Sequence, residues 1–176
     1  MSGHSHWAGI KHKKGAADAK RGEVFGKLLA AITVAANGEP NSDFNPRLRT
    51  AVLKAKEANV PADRIAAAIT RASDAAGGLE DLILEAYGPG GAALLIEAAS
   101  ANRNRTIPEI KKILADHGGK WAESGSVRWA FEPSPDGNWQ AKFPQGLGPE
   151  DAGKLTELIA ALEEHSDVQK IHTSSK

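Results

Sequence analysis

The stretch DLILEAYGPGGAALLIEAA, residues 81–99, divides the chain into two kinds of sequence. Its two apolar runs flank Gly88-Pro89-Gly90-Gly91, the pattern of a strand, a tight turn and a second strand. No Gly-Lys-Ser/Thr follows those glycines, so they are no nucleotide-binding P-loop. Just upstream, ASDAAGGLE (residues 72–80) is small and lacks periodicity, as expected of a boundary between domains.

Before that boundary the apolar spacing is helical. Phe25, Leu28, Leu29 and Ile32 fall at i, i+3, i+4 and i+7, and Asn37-Gly38 ends their helix. Asn45-Pro46 reads as an N-cap with proline at the first helical position, opening a helix that buries Leu48, Val52 and Ala55. Pro61 opens a third helix with Ile65, Ala68 and Ile69 inward.

After the boundary, helices and strands alternate. Thr106-Ile107-Pro108-Glu109 has the form of a capping box, with Thr106 as N-cap and Glu109 at N3. Its helix presents Ile107, Ile110, Ile113 and Leu114 and stops at Gly118-Gly119. Val127, Trp129 and Phe131 alternate as a strand, as do Trp139, Ala141 and Phe143, around the turn Ser134-Pro135-Asp136-Gly137. Leu155, Leu158, Ile159 and Leu162 form a further helical stripe, and VQKIH closes the series as a strand. From residue 92 the order is βαββαβ, the ferredoxin-like arrangement. The expected fold is therefore α plus α/β: an N-terminal three-helix domain, then a ferredoxin-like domain with an extra leading strand at 82–87. The boundaries this predicts are a basic N-terminal tail over 1–21, a helical domain over 22–75 and the ferredoxin-like domain over 80–176.

The 176 residues carry no net charge, but unevenly: twelve Lys and Arg stand against six Asp and Glu in residues 1–71, and ten against sixteen in 72–176. Such a split suits a first half that faces a polyanion. The absence of cysteine excludes disulfides, thiolate zinc sites and cysteine nucleophiles. No apolar run reaches the length of a membrane span and no secretory or transit signal opens the chain, so the expectation is a soluble cytoplasmic protein without a membrane partner.

The candidate binding residues lie mostly in SGHSHWAGIKHKKGAADAKRG, residues 2–22. Lys11, Lys13, Lys14, Lys20 and Arg21 supply charge for phosphates, which gives affinity without sequence preference. Trp7 offers a face for stacking, and His4, His6 and His12 can stack or donate hydrogen bonds. The same histidines could ligate a metal, but no fourth ligand is evident and the lysines would repel a cation, so no metal and no cofactor is assigned. Arg47 and Arg49 begin basic pairs seven residues apart, Arg47/Lys54 and Arg49/Lys56, which share helix faces and could follow a phosphate backbone. Arg103 and Arg105 stand where a strand hands over to a helix N-terminus; they suit a phosphate, or equally could pair with acidic neighbours and fix the loop. No nucleophile, base and acid arrangement points to an enzyme.

Taken together, GHSHWAGIKHKKGAADAKRG, NPRLRTAV, YGPGGAALLIE, NRNRTIPEIKKIL, HGG with GSVRWAF, and LIAALEEHSDVQKI resemble the YebC/PmpR family, in family order and over most of the chain. The resemblance implies a helical N-terminal domain followed by two α/β domains. It also implies a role as a DNA-binding transcriptional regulator or, as in the mitochondrial activator of cytochrome oxidase subunit I synthesis, a translation factor that relieves ribosome stalling. Members usually have Lys in place of His6 and Asn in place of Gly9. They also carry further sequence after Phe131, a third domain, where this chain has a short hairpin around Pro135-Asp136-Gly137.

The resulting expectation is a non-enzymatic nucleic-acid-binding regulator of gene expression whose partner is ribosomal RNA, at the ribosome, or DNA. A glycine-punctuated, aromatic and basic tail suits folded RNA, and no helix shows the spacing of a helix-turn-helix reader. A small-molecule-sensing ferredoxin-like module and a metal-dependent hydrolase built on the N-terminal histidines are the remaining alternatives, and the oligomeric state is left open.

Overall fold

The computed structural model describes residues 3–74 and 78–176, with side chains from Gly15 on. The chain forms two compact units, Met1–Ala76 and Gly77–Lys176.

The first unit holds three helices, α1 (Gly3–Ala35), α2 (Pro46–Glu57) and α3 (Ala62–Arg71). The helix expected to begin near Phe25 begins at Gly3, so residues 3–21 continue α1 rather than precede it. Alanine and lysine, both good helix formers, supply eight of the nineteen residues 3–21, and no proline interrupts the helix before Pro40. Gly9, Gly15, Gly22 and Gly26 weaken the helix, by about 1 kcal/mol each relative to alanine, without breaking it. The predicted stripe Phe25, Leu28, Leu29 and Ile32 packs on Leu48, Val52 and Ala55 of α2 and on Ile65, Ala68 and Ile69 of α3. Asn45 joins the first two helices. Its side-chain oxygen accepts from Leu48 N at 3.0 Å, capping α2, while Nδ2 donates to Ala35 O at 2.6 Å at the end of α1. Thr33, buried, has its hydroxyl 3.0 Å from Ala68 O and so ties α1 to α3.

The second unit is built on a four-stranded antiparallel sheet. Its strands are β1 (Glu80–Tyr87), β2 (Ala93–Ser100), β3 (Lys120–Trp121) and, last in the chain, β6 (Val168–Thr173), in the order β3-β1-β2-β6. The hairpin predicted from residues 81–99 is the centre of this sheet, in register from Glu80 opposite Ser100 to Tyr87 opposite Ala93. Its turn requires glycine at residue 90, where φ is +70° and a Cβ would meet Leu147 at 2.8 Å and Asp151 at 3.1 Å.

Helix and sheet occur in the class expected, but strand membership differs from the ferredoxin-like order. The strand taken as an extra leading one is central. The segments read as strands at 127–131 and 139–143 stay outside the main sheet. There Val127 leads into a 3-10 turn over Arg128–Ala130, and β4 (Phe131–Pro133) pairs only with β5 (Trp139–Ala141). Period-two alternation reports a half-buried extended segment, not which strand it pairs with.

One face of the main sheet carries α4 (Arg103–Asp116) and α5 (Pro149–Glu163). There Leu82, Leu84, Leu94 and Ile96 pack with Ile110, Leu114, Leu155, Leu158 and Leu162. The other face carries Ala93 and Leu95 under Ala122, Val127 and Phe131, with Trp139 and Ala141 of the ribbon against them. Helix α4 is capped by Asn102, whose side chain accepts from Asn104 N at 3.0 Å, one turn earlier than the expected Thr106.

A buried carboxylate ties the second layer to the sheet. Glu85 of β1 accepts from Gly125 N at 2.6 Å, Val127 N at 2.6 Å and Arg128 N at 2.8 Å. Burial raises its pKa, but the three backbone N–H bonds and the charge of Arg128 outweigh that and leave it below the ordinary carboxylate value. Glu85 therefore stabilises the unit fully above that ordinary value, and the contribution disappears as pH falls through the folded-state pKa. Glu85→Gln would keep one acceptor oxygen and turn the other into an N–H₂ facing a backbone N–H donor, Gly125 N where the amide oxygen stays with Val127 and Arg128. We expect it to cost about 2–3 kcal/mol at neutral pH and to flatten the acid dependence, read as urea-unfolding midpoints from neutral to acid pH.

Candidate nucleic-acid interface

Helix α1 has two halves in different surroundings. From Phe25 to Ala36 its apolar side chains enter the helical core, whereas side chains 15–24 are all exposed. At 1.5 Å per residue, the stretch from residue 3 to 24 extends roughly 30 Å. Lys20 and Arg21 are exposed on it. The side chains of His4, His6, Trp7, Lys11, His12, Lys13 and Lys14 lie outside the described residues. Their positions all fall within the helix, so the basic stretch is carried on a helical backbone. Positions 7, 11, 14 and 21 recur on the helical line that continues to the core residues Phe25 and Ile32. Along α1, the line that is apolar in the core half carries a tryptophan, two lysines and an arginine at these positions in the other, with Asp18 between Lys14 and Arg21.

The remaining predicted residues divide by environment. Arg47 is exposed in the first turn of α2. Arg49 is partly engaged within the unit, donating from Nη2 to Asp43 O at 2.8 Å and from Nε to Ser42 O at 3.2 Å, which holds the loop between α1 and α2. Arg103 pairs with Glu80 at 2.9 Å. Arg105 reaches Asp167 at 2.6 Å and Glu109 at 3.1 Å. For these two arginines, the loop-fixing alternative is the geometry observed.

Around Arg105 a polar cluster joins α4 to the turn before β6. Buried Thr106 has its hydroxyl 2.6 Å from Ser100 Oγ and 2.5 Å from Asp167 Oδ2. His165 Nδ1 accepts from Asp167 N at 3.1 Å, which leaves Nε2–H to donate to Glu109 at 2.8 Å. The cluster is a brace between segments some 60 residues apart rather than an open anion site.

The alternation that placed Trp129 and Phe143 in strands implied burial for both. They are instead 61% and 63% exposed, with ring centroids 5.9 Å apart. Their flanking cations, Arg128 and Lys142, were the available signal, since a buried strand seldom brackets its aromatics with charge. A connection of four residues joins α2 to α3, with Asn59 at φ +62°. That is a helix-turn-helix spacing, which the sequence pattern did not announce.

A helical unit followed by a helix-covered antiparallel sheet defines the class: a two-unit α and α/β protein. Within it the chain belongs to the TACO1/YebC family. The TACO1/YebC protein N-terminal domain matches residues 5–75, and the TACO1/YebC second and third domain matches residues 79–135. A "Probable transcriptional regulatory protein" of Solibacter usitatus is 51% identical over 134 residues, covering 75% of this chain and 54% of its own. One of the same name from Dictyoglomus thermophilum is 50% identical over 187 residues, covering 97% of this chain and 75% of its own. The chain thus spans about half the length of the Solibacter relative. The crystal structure of a conserved hypothetical protein from Aquifex aeolicus superposes with a TM-score of 0.83 at 32% identity, over 97% of this chain and 96% of that one. Helix α5 and strand β6 lie beyond the matched residues 79–135, yet they supply Leu155, Leu158, Leu162 and Val168 to the core.

The brace around Arg105 and the exposed pair at Arg103 separate in stability. Thr106→Val leaves the carboxylate of Asp167 and the hydroxyl of Ser100 each short of a partner, an expected loss of about 1–3 kcal/mol. Arg103→Ala removes only an exposed pair and is expected to change stability by no more than about 0.5 kcal/mol. Urea denaturation of the two variants beside the parent checks both.

Proposed function

We infer that this protein is a non-enzymatic, nucleic-acid-binding regulator of gene expression that engages folded RNA at the ribosome through the N-terminal half of α1. The observation that carries the reading is the exposure of side chains 15–24 on a helix whose other half is core, in the more basic part of the chain. Lys11, Lys13, Lys14, Lys20 and Arg21 would take phosphates, with Arg47 as a further contact. Trp7, His4, His6 and His12 would lie on bases or sugars. A single narrow helix, about 10–12 Å across with its side chains, enters crevices of folded RNA that a globular surface cannot. The matched relatives' naming as regulatory proteins supports the broader part of this reading.

That same naming, with the four-residue turn between α2 and α3, favours a second reading, a transcriptional regulator that binds DNA. Against it, the exposed residues of α3 include Asp63 in its first turn, which phosphates would repel, and three alanines, with Arg64 and Arg71 as its cations.

Replacing Lys11, Lys13, Lys14 and Lys20 with alanine, a better helix former, tests charge without weakening the helix. The variant should sediment with ribosomes less than the parent. Its log-affinity for RNA should depend on log salt less steeply, by about 0.7–0.9 for each phosphate no longer neutralised. An unchanged slope would remove α1 from the interface. A parent chain that ignores ribosomes but binds promoter duplexes would favour the second reading.

A further inference from the structure

We propose that the second unit carries a nucleic-acid contact of its own: an aromatic platform, Trp129 with Phe143, that stacks an unpaired base beside the cations Arg128 and Lys142. The proposal rests on the nucleic-acid reading above but concerns a different element and a different kind of contact.

Four observations support it. Both rings are exposed by more than half, although large aromatics usually supply core. They stand 5.9 Å apart at 52°, a tilted pair that together presents one apolar surface. The platform is also held in place without a ligand. Trp129 Nε1 donates to Ser126 O at 2.7 Å, and the residues on either side of Ser126 are fixed by Glu85 through Gly125 N and Val127 N. Tyr87 Oη donates to the same carbonyl at 3.3 Å. A base therefore meets an indole whose orientation is already set, which lowers the ordering cost of binding.

The fourth observation is charge. The residues adjoining the two aromatics are Arg128 and Lys142, both exposed. Arg128 lies 5.0 Å from the ring centroid of Trp139, so cation and aromatic recur along this edge. Glu132, exposed on the same ribbon opposite Gln140, is the acidic residue nearest in sequence to Trp129. Aromatic surface beside cations favours a base with its phosphate over an apolar peptide, which has no use for the charge.

The test uses the full chain and two labelled probes, a single-stranded oligouridylate and a fully paired RNA hairpin of equal charge. Trp129→Ala/Phe143→Ala should weaken binding to the single strand about tenfold or more, as loss of a base–aromatic stack does, and leave the hairpin within about twofold. Trp129→Phe should retain most of the single-strand affinity, and the thermal midpoint of each variant verifies that it is folded. Lys142→Ala should lower the salt slope on the single strand by about 0.7. Single-strand affinity unchanged in the double variant, with the lysine-to-alanine variant of α1 still impaired, overturns this proposal alone and leaves the pair a protein-docking patch. A parent chain that binds neither probe overturns both readings.

Discussion

Glu85 is the constraint on which the second unit depends. A carboxylate buried on a sheet face costs several kcal/mol in lost hydration, so it persists only where donors replace the water. Here three backbone N–H groups converge on it from Gly125, Val127 and Arg128. Each such bond to a charged acceptor contributes about 1.5–3 kcal/mol, enough together to offset the burial. Geometry follows from the energetics. Three donors within four residues fix the path of the segment between β3 and β4, and thereby seat Val127 and Phe131 over Leu95. A hydrophobic side chain at residue 85 could fill the same space but could not specify that path.

The first unit solves a different problem. Its core is thin, with Ile32, Leu48 and Ile65 as the larger buried side chains among alanines. Directional bonds therefore carry much of its specificity: Asn45 bridges the end of α1 to the start of α2, and Thr33 ties α1 to α3. None of this reaches the exposed half of α1. A helix without tertiary packing is marginal in water at such lengths, and the glycines at residues 15 and 22 lower its stability further. Such a segment is suited to gaining stability from a partner, whose phosphates would also relieve repulsion among its lysines.

Features set by local chemistry were legible in the sequence. The stripe from Phe25 to Ile32, the Asn45 cap before Pro46 and the hairpin around Gly88–Gly91 all follow from interactions between near neighbours. Features set by distant residues were not. Thr106 has the type of an N-cap, but its hydroxyl is drawn into the unit by Asp167, 61 residues away, and Asn102 takes the cap. Arg105 is paired by the same Asp167, which no local pattern announces. The alternation around Trp129 suggested an extended strand, but the segment winds through a 3-10 turn over Arg128–Ala130 and becomes extended only from Phe131, because alternation in the sequence does not fix the backbone where no neighbouring strand pairs with it. The basic stretch of the candidate site was legible from composition alone. Its helical backbone was not, because the exposed residues 15–24 carry no apolar periodicity to announce a helix.

The charge split now acquires a physical meaning. Residues 72–176 carry six more acidic than basic side chains, so at long range this part of the chain repels a polyanion, while residues 1–71 attract one. Long-range attraction is screened by salt over about 8 Å at physiological ionic strength and is indifferent to base identity. Stacking works at contact distance, is little affected by salt and requires an unpaired base. On the proposed reading, a basic α1 and an aromatic platform on an acidic unit would divide the work of recognition. The helix would bring the chain to any nucleic acid, and only a target with an unpaired base in reach would compensate the second unit for its repulsion. The net negative charge of residues 72–176 as a whole would thus act against binding to plain duplex, and so contribute to selectivity rather than to affinity.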